Sequence, residues 1–416
     1  MTKYHFRGPV VATLLIVAGN PCISVHAGER LPDPPVADNG WKEMFSPKIN
    51  ARLRYEYGDA SDRDISHAFT GRLRAGLLAK PIAGLQAYAE FEGTTTPDDD
   101  AYNGVVTGDT LKTAIADPYS YELNQLWASY APAAWLTTKV GRQEMNLDSQ
   151  RYVGTVAWRQ NEQTFDAAVL SVKPIDGLEA TYAYVWAVNR IFGSEAPDGR
   201  FEDFSGATHL FNISYAKLPI GKVSAFAYLM DLGNAAGDAN SNASFGLSLS
   251  GGTALTDGLK LTHYLEGGIQ TDYADSPRNY EAWYGHAKLG LEAEKWSVTA
   301  GFEYLGYDNG TGYQFPLGTN HKFNGYADLF LNTPATGLQD AYLTTTFTLP
   351  AKFKGELGYH FFGAAGDGFD YGQEIDAVVT RPIGKNLVAL AKYAYYMADD
   401  FGADTHRLSL EMNYTF

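Results

Sequence analysis

From residue 48 to its last residue the chain keeps alternating apolar and polar side chains with a period of two. Phe69, Gly71, Leu73 and Ala75 interleave with Thr70, Arg72 and Arg74. Leu259, Leu261, His263 and Leu265 interleave with Lys260, Thr262, Tyr264 and Glu266. The final segment does the same, with Leu408, Leu410, Met412, Tyr414 and Phe416 on one side and Arg407, Ser409, Glu411, Asn413 and Thr415 on the other. Period two gives a strand one apolar and one polar face. The apolar face must meet either a protein core or lipid.

The connections decide between these. One set is short: 80–84, 131–134, 173–177, 217–221, 255–258, 292–295, 349–352 and 381–385. The other set is long and polar: 94–120, 144–162, 190–205, 231–241, 272–279 and 306–337. Short turns at one end and long loops at the other are the arrangement of an outer-membrane barrel, with turns periplasmic and loops outside. A soluble sandwich has no reason to sort its loops. The pattern predicts an all-β fold, a transmembrane antiparallel β-barrel of about 18 strands, each near the roughly 9–11 residues of a tilted span. Sixteen strands remain open if segment 241–253 is not one. Aromatic pairs such as Tyr55 and Tyr57, or Tyr130 and Trp135, suit interfacial girdles.

The first residues have a different character. Lys3 and Arg7, then the apolar run 10–18, then Val25-His26-Ala27, read as a signal peptide over 1–27. Its Cys22 is the only cysteine, so the exported chain has no disulfide. Residues 28–45, proline-rich over 30–40, read as a periplasmic linker, leaving 46–416 for the barrel. The expected location is the outer membrane of a Gram-negative bacterium. With both ends periplasmic, the last strand closes against the first. An alternating last strand with Tyr414 and a final Phe416 also resembles the signal that barrel-assembly machinery reads.

The pleat also assigns an inner face. Arg52 and Arg54 on the first strand and Arg72 and Arg74 on the second point inward, with Arg407 on the last strand and Lys139 further along. Glu56, Glu90, Glu92, Asp166, Glu374, Asp376 and Glu411 are read as inward too. Two readings stay open. Arginine stays charged and its fork holds carboxylates, so a ladder of arginines would pass an anionic solute from site to site. Alternatively, basic and acidic groups brace one another. Loop 306–337 carries too many aromatics for a solvated loop. It either folds into the barrel mouth as a gate or caps neighbouring loops.

Other functions find little support. A net charge of -16 opposes nucleic-acid binding. The acidic loop runs 98–100 and 399–400 lack calcium-loop spacing, so neither metal nor cofactor is expected. His263 and His406 read as lipid-facing and His360 as inward, with no Gly-x-Ser-x-Gly motif, so no catalytic site is expected. A general diffusion porin is the main alternative to an anion channel. An adhesin or an outer-membrane enzyme is further off.

Two stretches carry a resemblance. In 139–172 a strand ends in Gly141, Arg142 and Gln143, a loop holds Arg151, Trp158 and Arg159, and Thr164, Phe165 and Asp166 open the next strand. In 315–342 stand His321, Phe323, Gly325, Tyr326, Ala327, Asp328, Phe330 and Leu331. With the barrel pattern, these resemble the alginate-export family of outer-membrane barrels. The resemblance implies an 18-stranded channel for an anionic polysaccharide such as alginate or a related solute, with periplasmic export proteins as candidate partners beside the lipid bilayer. It adds Arg142, Arg151, Arg159 and Asp166 to the pathway. His321, Phe323, Tyr326, Asp328 and Phe330, in loop 306–337, are the candidates for the gate suggested by that loop's aromatics.

Overall fold

A computed structural model describes residues 44–193, 203–234, 237–366 and 368–416. The signal-peptide reading and nearly all of the linker lie outside these residues. The first strands are β1 (Phe45–Ala60), β2 (Ser66–Ile82), β3 (Leu85–Thr95), β4 (Ser120–Ala133), β5 (Leu136–Gln143) and β6 (Thr164–Val172). β7 (Leu178–Asn189), β8 (Asp203–Leu218), β9 (Gly221–Met230), β10 (Asn242–Thr256), β11 (Leu259–Asp272), β12 (Glu281–Ala293) and β13 (Trp296–Leu305) follow. A hairpin of β14 (Tyr307–Asp308) and β15 (Thr311–Gly312) sits inside the longest loop. β16 (Leu338–Thr348), β17 (Lys354–Gly363), β18 (Asp370–Ile383), β19 (Leu387–Ala398) and β20 (Thr405–Thr415) finish the wall.

Eighteen of these strands form one sheet. Each pairs antiparallel with its chain neighbours, and β1 also pairs with β20 from Asn50↔Thr415 to Ala60↔Thr405. The sheet is therefore closed and has no edge for lipid to face. The doubtful segment 241–253 is β10, paired on both sides to β9 and β11, which fixes the count at 18. The alternation is realised as expected: Leu53, Leu73, Leu126 and Leu289 are more than half exposed on the outside, while Arg54 and Glu374 are buried inside. Periplasmic turns are tight. Gly84 adopts φ +81, and a Cβ there would lie 2.5 Å from the Ala131 carbonyl oxygen.

The loop sorting is looser than the sequence suggested. Outer connections 61–65, 364–369 and 399–404 are also short. The long loop 96–119 packs on the extended β1–β2 hairpin, where Ser66 Oγ donates to the Thr113 carbonyl at 2.5 Å. Loops 144–163 and 306–337 fold inward, and their aromatic and aliphatic side chains form the main apolar cluster with side chains of β6–β9, β12, β13 and β16–β19.

The seam ends on a reciprocal backbone pair: Phe416 N donates to Ile49 O at 2.9 Å, and Ile49 N to Phe416 O at 3.2 Å. A chain ending at Thr415 is expected to give several-fold less folded barrel in the outer membrane, scored by heat-modifiable gel mobility. The conductance of the fraction that assembles should not change. Equal yield would show that the terminal pair does not matter for assembly.

Candidate functional site

The constriction begins with the four arginines of β1 and β2, brought side by side by the register Arg52↔Arg72 and Arg54↔Thr70. None is more than 8% exposed. Their donors are used on loop 144–163. Arg52 Nη1 donates to the carbonyls of Ala157, Trp158 and Arg159 at 3.1–3.2 Å. Arg54 Nη2 donates to the Trp158 carbonyl and to Glu411, each at 2.6 Å, and Nη1 to Asp117 at 3.3 Å. Arg72 reaches the Gln160 carbonyl at 3.2 Å. Arg74 pairs with Glu92 and, at 2.9 Å, with Glu162. Carbonyls buried in a loop need donors, and guanidinium groups provide several each. The turn they hold includes Val156 at φ +53, an unfavourable conformation for a β-branched residue that its surroundings must impose.

Loop 306–337 is held by the opposite chemistry. Glu374 accepts from the Ala327 amide at 2.7 Å, and Asp376 from the Tyr326 amide at 3.4 Å. Tyr326 Oη donates to Glu356 at 2.8 Å, and Arg407 Nε donates to the Ala327 carbonyl at 2.7 Å. Gly325, at φ +84, lies so close that a Cβ would stand 2.5 Å from the Glu374 carboxylate. Asn324 Nδ2 donates to Glu303 at 2.6 Å and to Asp340 at 3.1 Å. Phe330 leaves this region and packs with Phe362, Tyr371, Tyr396 and Phe401 under the outer rim.

The two loops then clasp each other. Gly154 N donates to Leu317 O and Thr319 N to Gln150 O, both at 2.9 Å. Arg151 bonds Asn324 at 2.7 Å and Glu303 at 3.0 Å, with its guanidinium over Phe315 and Phe323. Arg159 meets Asp328 at 2.6 Å. The Trp158 ring stacks on His321 at 4.6 Å and 7°, and also receives Arg54 at 4.0 Å and Lys392 at 3.6 Å. His321 Nδ1–H donates to Asp328 at 2.6 Å, while the Lys392 ammonium donates to Nε2 at 2.8 Å. An imidazole that accepts at Nε2 is neutral. Burial, with the Lys392 charge, lowers the His321 pKa to about 3. Burial opposes ionisation of Asp328, but His321 and Arg159 hold its carboxyl below the usual range. A cavity of about 10 Å³ beside Glu56, Trp158, Asp328 and Lys392 has room for about one water.

Two predicted residues lie elsewhere. Arg142 pairs in register with Leu126, an outward residue 52% exposed, and with Asp166. Arg142 and Asp166 therefore sit on the outer side of the wall near the rim, bonded at 2.8 and 3.2 Å. The inward reading of Asp166 is corrected by this register. Lys139 does face inward, its ammonium 4.1 Å over the Trp127 ring. Sequence reasoning missed Asp117, Glu303 and Asp340. The last two were available from strand alternation, whereas Asp117 is in an irregular loop with no periodic signal.

The far end of loop 144–163 crosses to the other wall. Asp148 accepts from Asn212 at 2.5 Å, Lys222 at 3.0 Å and Ser224 at 3.2 Å. This end is wetter than the arginine end: the Lys222 side chain is 41% exposed.

Two expectations follow. Arg54→Met leaves buried Glu411 without its hydrogen-bonded guanidinium and removes one partner of Asp117, and should cost roughly 3–5 kcal/mol in urea unfolding from lipid vesicles. A change below about 1 kcal/mol would show that the pair is solvated. Free imidazole titrates near 6.5 and the clasped His321 near 3. As pH falls between these values the open loop takes up a proton that the clasped loop refuses, so the clasp loses stability on acidification. Single-channel current noise should rise from pH 7 to pH 4 in the wild type and stay flat in His321→Gln. A wild-type trace that ignores pH would overturn this.

Comparison with known proteins agrees with this architecture. OpdK of Pseudomonas aeruginosa superposes with a TM-score of 0.70 at 13% identity, covering 89% of this chain and 98% of its own. OccK9 (OpdG) of the same organism gives 0.70 at 16%, covering 91% and 100%. OccAB2 of Acinetobacter baumannii gives 0.70 at 14%, also covering 91% and 100%. These likenesses concern the fold. No curated protein matches the sequence. The alginate export family profile matches residues 45–323, well over half of the chain. The chain thus belongs to the alginate export family of porin-like β-barrels in the Gram-negative outer membrane.

Proposed function

We propose that the barrel passes anionic solutes, and that lysines at the periplasmic half of the lumen, rather than the arginines, carry the selectivity. The observation behind this is positional. Lys139, Lys222, Lys260 and Lys288 sit on the inner face below the clasped loops, with Lys222 and Lys260 41% and 52% exposed at the side chain. Rings of like charge near a constriction select ions of opposite sign. Lys139 over Trp127 and Lys288 over Tyr264 offer a cation beside an aromatic face, a combination suited to a carboxylate on a ring. The family makes alginate a candidate, and the similar protein OpdK has been solved with vanillate, also a carboxylate.

In this reading the arginines position the constriction. Solute moves past the wet end at Asp148, exchanging one lysine for the next. Residues 1–27 act as the export signal and 28–45 as a periplasmic lead-in, barrel-assembly machinery inserts the wall, and periplasmic export proteins are candidate partners for the turns.

The reversal potential of the protein in a planar bilayer under a salt gradient tests the proposal. Anion preference is expected, with block by alginate oligomers and little block by neutral oligosaccharides. The triple variant Lys139→Gln, Lys222→Gln, Lys288→Gln should lose most of that preference at similar conductance. A weakly selective pore, indifferent to both oligomers and to the triple variant, would instead establish a general diffusion porin.

A further inference from the structure

We propose that the lipid face of β6–β9 holds one acyl chain of an outer-leaflet glycolipid, anchored at its carbonyl by the Tyr182–His209 pair. The register lays two rows of outward side chains across these four strands, Leu170↔Tyr182↔Phe211↔Ala227 above and a second row below. Leu170, Phe211 and Ile213 stand up from β6 and β8, each at least 40% exposed. Ala180, Ala225 and Ala227 on β7 and β9 lie low beside them. The result is an apolar groove of about 410 Å³ in the outer surface of the wall. Ligand pockets begin near ~300 Å³, and an apolar cavity of ~150 Å³ already takes benzene.

The groove has a polar end. Tyr182 lines it, and Tyr182 Oη lies 2.9 Å from His209 Nδ1. If the phenol donates, the imidazole proton sits on Nε2. If Nδ1 carries the proton, the phenolic hydrogen is released. Either way the pair keeps one donor for which the described residues supply no acceptor. A donor left unmet against hydrocarbon is costly. The acceptors a bilayer offers at its border are the ester and amide carbonyls that join acyl chains to a headgroup. Hydrocarbon ends just above this pair: Asp166, two outward positions above Leu170, accepts from Arg142 at 2.8 Å and from Asn189 at 3.2 Å.

The direction of the chain follows from the strand. β8 descends from Asp203 at the outer rim, so His209 lies on the extracellular side of Phe211. A carbonyl held there sends its tail towards the periplasm, which is the orientation of an outer-leaflet lipid. At the periplasmic end the nearest cations, Lys173 and Lys217, already stand beside Glu179 at 3.5 Å and Asp176 at 2.8 Å. The same pairing of tyrosine and histidine recurs at Tyr55 with His67 and at Tyr393 with His406, both at 2.8 Å. In all three a further tyrosine stands directly opposite the histidine: Tyr57↔His67, Tyr395↔His406 and Tyr184↔His209. The first two flank the seam, and the groove borders only the third, which makes them internal controls.

Native mass spectrometry of the barrel released from outer membranes in mild detergent tests the site. One lipid A glycolipid per chain is expected to stay bound. Ala227→Phe fills the groove, and the double variant Tyr182→Phe, His209→Phe removes the donors. Each should retain at least tenfold less glycolipid, while the double variant His67→Phe, His406→Phe retains as much as the wild type. Folding is checked by heat-modifiable mobility. Where a variant does not fold, delipidated wild type offered equal amounts of lipid A and phosphatidylglycerol decides, and preferential uptake of lipid A upholds the site. Retention that ignores the groove and donor variants, or equal uptake of phosphatidylglycerol, overturns it. So does a pair of barrels that separates in Ala227→Phe, which would give the groove to a second copy of the chain.

Discussion

Every backbone polar group of this chain must find a partner that neither lipid nor a dry loop can supply. In the wall the closed sheet solves this, and closure depends on β1 meeting β20. A closed wall with an apolar exterior sends its polar side chains inward. Those side chains then solve the second half of the problem. Loop carbonyls around Trp158 are satisfied by arginines of β1 and β2, and loop amides around Tyr326 by carboxylates of β18. One wall is a donor surface and the other an acceptor surface, and each has taken the loop that suits it. Polar groups buried in low dielectric are costly unless paired, so the lumen lattice and the loop paths specify each other.

Much of this was legible in the sequence. Alternation is a local property fixed by lipid on one side and water on the other. The strand count, the sealing strand and the inward positions of Arg52, Arg54, Arg72 and Arg74 followed from it. Even the misplaced pair was within reach: Lys139 and Arg142 are three residues apart on β5, so they cannot share a face. What the arginines touch was not legible. Trp158 meets His321 across 163 positions, and no periodic pattern links residues so far apart. The inward folding of loop 306–337 was one of two readings its aromatics left open, the other being a cap on neighbouring loops. Its partner, loop 144–163, has few aromatics to announce it and is placed by backbone contacts instead.

The lattice also separates two roles that a charge count merges. The arginines are buried beneath the loops they hold, whereas Lys222 and Lys260 keep about half of their side chains in water. Arginine suits the first role because its planar fork grips several acceptors at once, and lysine the second because its hydrated point charge releases partners readily. On the proposed reading, selectivity and architecture fall to different residues at different depths of one lumen.

The seam has a consequence for the order of events during insertion. Arg54 comes from the first barrel strand, Glu411 from the last, and the Trp158 carbonyl from a loop made between them. All three meet only when the final strand has been delivered. Until then the arginine lacks its strongest carboxylate, and Arg407, which holds the other loop, has not arrived. Contacts so distant along the chain form late. Closing the wall therefore also completes the grip of Arg54 and Arg407 on the two loops.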